Sequence, residues 1–272
     1  MEEKGKKEEA EGKRKCEGET IEVSESSDGV DEVLSRLEEL QLGVEEPELS
    51  EQQLRINDQL QEDESLAMES IYGDNFFILE RHRGLRSFQI HIYLEAPSEI
   101  AMTAKLNSTG DLGAKIDSSD DFSYHFKVQY LPPIWLTCLL PKSYPSHIPP
   151  YFTLSVQWLS STNISNLCSK LDSIWREQPG QEVIYQWVEW LHSCSLSLLG
   201  YDEDIMLGPY GKRHEGDRRA LSGISSPDVD IPLLKVYNDE RLHENFLKNL
   251  HECCICFCEY AGNDQCLVAK FH

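Results

Sequence analysis

The sequence predicts an α+β fold, an antiparallel sheet with helices packed on one face. Three patterns predict it. A helical stretch covers residues 62–72, with Leu66, Ala67, Ser70 and Ile71 on one face and Gly73 as its stop. Strand-like alternation follows at Phe88, Ile90, Ile92 and Leu94, and again at Tyr124, Phe126, Val128 and Tyr130. Helical spacing then returns twice: at Ile164, Leu167, Cys168, Leu171, Ile174 and Trp175, and at Val183, Ile184, Trp187, Trp190, Leu191, Cys194 and Leu198.

Taken in order, residues 1–60 are expected to form an acidic, largely disordered arm. Residues 1–70 hold 23 acidic and 8 basic side chains, so self-repulsion opposes collapse there. Within the arm, Val30, Val33, Leu34, Leu37 and Leu40 have helical spacing that Gly43 and Pro47 end. A helix resting loosely on a neighbour and a short partner-binding helix are both open for this stretch. Ser50 can cap a second helix, with Gln53 as its capping-box partner. Residues 76–80 are an apolar strand, His82-Arg83-Gly84 is a turn, Pro97 closes the next strand and residues 107–122 are loop-like.

After Pro132 and Pro133, Ile134–Leu140 is almost wholly apolar, as in a strand covered on both faces. Residues 141–150 are too rich in proline for a helix or an inner strand, and Tyr151–Val156 is one more strand. The domain predicted over 61–201 is long enough to bury its own core. That core is expected to include Leu66, Ile71, Ile90, Ile92, Phe126, Val128, Leu136, Leu154, Leu171, Trp175, Trp187 and Trp190. Residues 202–250 read as a linker ending in a short helix, and 251–272 as a separate cysteine-bearing end.

The net charge of −23 opposes general nucleic-acid binding, because phosphate repels it. The basic cluster of Lys212, Arg213, His214, Arg218 and Arg219 reads as solvated charge in the linker. There is no secretory signal and no apolar run near the ~18 residues of a membrane span, so the expected location is cytoplasmic, nuclear or both, with no membrane partner. Five of the nine cysteines lie between 253 and 266, a clustering that suggests metal and not disulfides in a reducing compartment.

No catalytic residue is expected upstream of that cluster. Cys138 falls in an apolar strand, and Cys168 and Cys194 fall on apolar helix faces, where a thiol is a small core residue. His91 and His125 lie on polar strand faces and read as solvated. Cys253 and Cys256 form a Cys-x-x-Cys pair, the usual first half of a structural zinc site. Sixteen residues follow Cys256. By count Cys253, Cys256, Cys266 and His272 allow a Cys3His site; the other reading is a flexible, reduced tail.

Three features resemble the RWD domain, a ubiquitin-conjugating-like fold without a catalytic cysteine. Glu64, Ala67, Ser70, Ile71 and Tyr72 are similar to that family's helix motif, and Tyr144, Pro145, Pro149 and Pro150 to its tyrosine–proline loop. The tryptophan-bearing helix pair is the third feature. The loop has two readings, a rigid turn cluster packed on the fold, which is the one taken, and a partner-contacting edge.

The run from Cys253 to Glu259 resembles the start of the first RING in RING-between-RING (RBR) E3 ubiquitin ligases, and its place after an RWD domain resembles the ring finger protein 14 type. This likeness implies zinc, a protein partner for the RWD domain, a ubiquitin-conjugating enzyme where the RING is complete, and protein ubiquitination as the function. The spacing between Cys266 and His272 departs from the family's, and the expectation is a chain truncated within the first RING, inactive alone. The alternative is a non-catalytic RWD interaction module or decoy.

Overall fold

The computed structural model describes residues 27–79, 84–94, 99–106, 122–201, 204–208, 210, 216–252 and 259–261. The turn expected at His82 and Arg83, the stop at Pro97 and the loop over 107–121 lie outside them, as do Lys212, Arg213 and His214.

Two helices open the described chain, α1 (Ser27–Leu42) and α2 (Glu51–Tyr72). Ser50 caps α2 by accepting a bond from the Gln53 backbone N–H at 3.2 Å. The Gln53 side chain turns instead to Asn57, so only half of the capping box closes. Gly73 ends α2 at φ 50°, a conformation glycine adopts without strain.

Strands β1 (Phe76–Ile78), β2 (Arg86–Ile92), β3 (Ile100–Leu106), β4 (Phe122–Val128), β5 (Ile134–Leu140) and β6 (Tyr151–Val156) follow. Helices α3 (Ser161–Glu177) and α4 (Ile184–Leu198) come next. Then come β7 (Asp204–Leu207), β8 (Ala220–Ser222), α5 (Pro227–Lys248) and the β9 (Leu250–Glu252) and β10 (Glu259–Ala261) pair. One sheet has the order β1-β2-β5-β6-β8 and a second the order β4-β3-β7. Pairing is antiparallel except where β8 joins β6 and β7 joins β3.

The α+β class is that expected, with three additions. Strand β3 went unseen in the sequence because Ala101, Thr103, Ala104 and Lys105 dilute its alternation, although Ile100, Met102 and Ala104 are buried. The stretch read as linker supplies β7 and β8, and its helix begins at Pro227 and runs 22 residues. Asn238 on α5 accepts the backbone N–H groups of Gln129 (2.7 Å) and Tyr130 (3.1 Å) just beyond β4. The basic cluster is not uniformly solvated either. Arg219 bridges Asp172 and Asp217 at 2.7 Å each and stacks over Phe152.

The third addition is α1, which belongs to the fold and not to a disordered arm. Strand β5 is covered on both faces. Leu136, Cys138 and Leu140 face the main core with Ile90, Leu154, Leu171 and Trp187, on the side where α3 and α4 pack. Leu139 faces the other way, where Leu34 and Leu37 of α1 meet Leu85 and Tyr151. Leu37 is fully buried. The acidic residues of α1 that suggested disorder are compatible with this, since Glu32 and Glu39 lie on its exposed side.

Two expected core residues are outside it. Leu66 is 56% exposed and Ile71 57% exposed. Phe126 and Trp190 are partly buried against the core. The inward face of α2 is instead Asn57, Gln61 and Met68. Its neighbour is the backbone of residues 141–146, whose carbonyls need donors, so amides point inward and an apolar count selects the wrong side.

Replacing Trp187 by Ala should cost ~3–5 kcal/mol and replacing Leu37 by Ala ~2–4 kcal/mol, from lost burial plus a cavity. Urea melts followed by tryptophan fluorescence and circular dichroism check both. An unchanged midpoint for Leu37→Ala would detach α1 from the fold.

Candidate functional site

The tyrosine–proline loop is fixed from below by α2. Gln61 Nε2 donates to the carbonyls of Pro141 (2.9 Å) and Tyr144 (2.8 Å), and Asn57 Nδ2 to the carbonyl of Lys142 and to Ser146 Oγ, both 2.9 Å. The Tyr144–Pro145 peptide is cis, and Tyr144, Pro145 and Pro150 are buried while Pro149 is half-buried.

Tyr144 reaches through the fold. Its hydroxyl donates to Glu64 Oε2 at 2.7 Å and accepts the Val183 backbone N–H at 2.9 Å. Glu64 Oε1 accepts the Ile184 N–H at 3.0 Å. One carboxylate and one phenol thus satisfy two orphan donors at the start of α4, in place of a helix cap. Burial raises the Glu64 carboxyl to about 7, against the lowering effect of its bonds to Tyr144 and Ile184. Burial, then the nearby Glu64, keeps the Tyr144 phenol protonated.

The motif residues therefore divide. Glu64 and the loop form an internal brace, as the rigid-cluster reading of Tyr144 describes. Ala67, Ser70 and Ile71 stand on the outer face of α2, and Tyr72 is half-buried with its hydroxyl on Glu189 at 3.2 Å. Cys253 and Cys256 lie outside the described residues, between the paired β9 and β10. Among the described residues, no group of three or more His, Cys, Asp or Glu could hold a metal.

Cys138 and Cys168 are buried, and burial pushes both thiols well up, away from the thiolate a nucleophile needs. Cys194 is exposed, contrary to its expected apolar placement, because it lies off the side of α4 that carries Trp187, Leu191 and Ser195. His91 is not solvated either: its ring lies 4.6 Å from Phe77 and 5.1 Å from Trp135, and burial lowers it to about 4. His125 is exposed, with Nδ1 on Thr103 and Nε2 on Ser123.

What sequence reasoning missed is a groove beside the brace. Glu62, Ser65, Leu66 and Glu69 of α2 form one wall; Phe76 and Ile78 of β1 and Arg86 and Phe88 of β2 complete it. The signal was present in the apolar side of α2 that was assigned to the core.

A family model described as the RWD domain matches residues 59–194. The chain belongs to the RWD family. Its RWD domain is shared with E3 ubiquitin-protein ligase RNF14 of Mus musculus, 30% identical over 234 residues, covering 75% of this chain and 46% of that protein. The Homo sapiens RNF14 gives 30% over 234 residues, with 47% of its length covered. Protein IMPACT-A of Xenopus tropicalis is 29% identical over 121 residues, covering 43% of this chain and 34% of that one. The chain spans about half the length of the RNF14 proteins it matches. A match to the solution structure of the RWD domain of mouse GCN2, with TM-score 0.36 at 18% identity over 58% of this chain and 91% of that one, adds nothing to the assignment.

Two measurements follow from these geometries. Glu64, raised when folded, contributes stability that is fully present below its unfolded value and lost as pH rises from about 4.5 towards 7. His91, lowered when folded, contributes stability present above about 6.5 and lost as pH falls towards 4. The two slopes oppose each other across pH 4.5–6.5, so Glu64→Gln should unmask the histidine and make the chain more acid-sensitive than the wild type, read from urea melts at several pH values. Separately, a maleimide reagent should label Cys194 in the folded chain within minutes and leave Cys138 and Cys168 unlabelled until denaturant is added, as mapped by mass spectrometry.

Proposed function

We propose that this chain is the docking part of an RBR-type E3 ubiquitin-protein ligase. Its RWD domain holds a protein partner, and its cysteine-rich end opens the zinc-bearing part to which a ubiquitin-conjugating enzyme is recruited. The observation that carries this reading is the extent of the likeness. The RNF14 alignments cover 75% of the chain, well beyond the RWD match at 59–194, whereas the IMPACT-A alignment covers 43%. A shared RWD domain alone would give the shorter span.

Within this proposal Cys253 and Cys256 supply the first two zinc ligands. Two thiols in the six-residue connection between paired strands suit a tetrahedral thiolate site, and zinc would contribute folding energy to a segment too short to bury a core. A reducing compartment, cytoplasm or nucleus, goes with the free thiols of Cys138, Cys168 and Cys194.

The test is made on the gene product in cells. Trp187→Ala is introduced into the chromosomal copy, protein levels are matched, and ubiquitin-remnant peptides are quantified together with the proteins that co-purify with the chain. Loss of ubiquitin from a co-purifying protein is the expected result. Loss of co-purification with an unchanged ubiquitin pattern would instead assign a non-catalytic interaction module.

A further inference from the structure

The groove between α2 and β1 is suited to one kind of occupant. Its floor is apolar, with the Phe76 and Phe88 rings 5.0 Å apart and both buried. Its sides carry two large apolar residues left in solvent, Leu66 (56% exposed) and Ile78 (67% exposed). Exposing such side chains together at a concave site costs free energy that a partner would recover.

The rim is acidic. Arg86 is the one cation among the lining residues, and it is already engaged: its Nη2 lies 2.6 Å from Glu62 Oε2, and Nη1 bonds Asp58. Three carboxylates, Asp58, Glu62 and Glu69, thus stand against one guanidinium. Glu69 is exposed and has no side-chain partner among the described residues. A ligand carrying Lys or Arg would complete this balance, and one carrying carboxylates would be repelled.

The wall opposite α2 favours an extended ligand. β1 is the end strand of the five-stranded sheet and pairs only with β2 among the described residues, so its other edge keeps unused backbone donors and acceptors. An added strand would place alternate side chains towards Phe76 and Phe88.

We propose that the α2–β1 groove binds an extended peptide segment of a partner protein, in which a large apolar side chain is flanked by lysines or arginines. This deepens the docking reading given above and rests on it.

The experiment is a selection of phage-displayed random twelve-residue peptides on the whole purified chain, followed by fluorescence polarisation with the enriched peptides. The expected result is enrichment of sequences with a leucine, isoleucine or phenylalanine among basic residues. Affinity should fall at least tenfold for the Leu66→Asp/Ile78→Asp double variant, and severalfold for Glu69→Lys or when salt rises from 20 to 200 mM. Both variants change exposed side chains, and an unchanged melting curve confirms that they fold. Three outcomes would overturn the proposal: no enrichment, enrichment of acidic peptides, or binding indifferent to both variants. Binding lost instead on changing Val229, Leu233 and Val236, the outward apolar residues of α5, would also move the site off the groove. The selection reads no ubiquitin, so its failure leaves the cellular result standing, and a negative cellular result leaves a positive selection intact.

Discussion

The hydrogen bonds joining Glu64, Tyr144 and the start of α4 hold three separate parts of the chain in one arrangement. They lie about eighty and then forty residues apart in sequence, so each element arrives without its partner and acquires it only on folding. The arrangement is demanding because its groups are buried. If the tyrosine hydroxyl were removed, one carboxylate oxygen and one backbone N–H would each lose a partner in an apolar setting, which costs about 1–3 kcal/mol per group. The amides of Asn57 and Gln61 extend the same logic to the loop carbonyls. A polar seam therefore runs between α2 and the proline loop, and the apolar core of α3, α4 and β5 lies beside it.

This seam also explains what α2 has left over. A helix that spends its inner face on hydrogen bonds keeps Leu66 and Ile71 for the outside. In most amphipathic helices the apolar stripe marks the core. Here it marks the surface, and the division between structural and exposed halves of one motif follows from that inversion.

Much of the fold was legible in the sequence for ordinary reasons. The stripes of α3 and α4 and the alternation of β2 and β4 are strong because their neighbours are apolar and non-local competition is weak. The two-sided burial of β5 could be read from its unbroken apolar run, although the identity of its second cover, α1, could not. Strand β3 was lost because Ala and Thr pack well in a sheet yet score weakly, and β7 and β8 because three or four residues carry no period. Of the candidate site, the sequence showed Tyr144 as a packed tyrosine. It did not show Glu64 as its partner, since a glutamate in a helix motif looks like any solvated one. The groove was hidden by the assumption that apolar means inside.

Helix α5 changes how the two ends of the molecule communicate. It is fastened along its length, by Lys235 to Tyr124 at 2.6 Å, by Asn238 to the backbone past β4, and by Asn245 to Tyr130 at 2.6 Å. A tether of Gly and Ser would let whatever follows explore a wide volume, diluting its encounters with a protein held by the RWD domain. A strapped helix instead launches the chain from one point and in one direction. What lies beyond Lys248 then meets a bound protein at an effective concentration set by geometry, and the reach of the molecule is decided by where α5 ends.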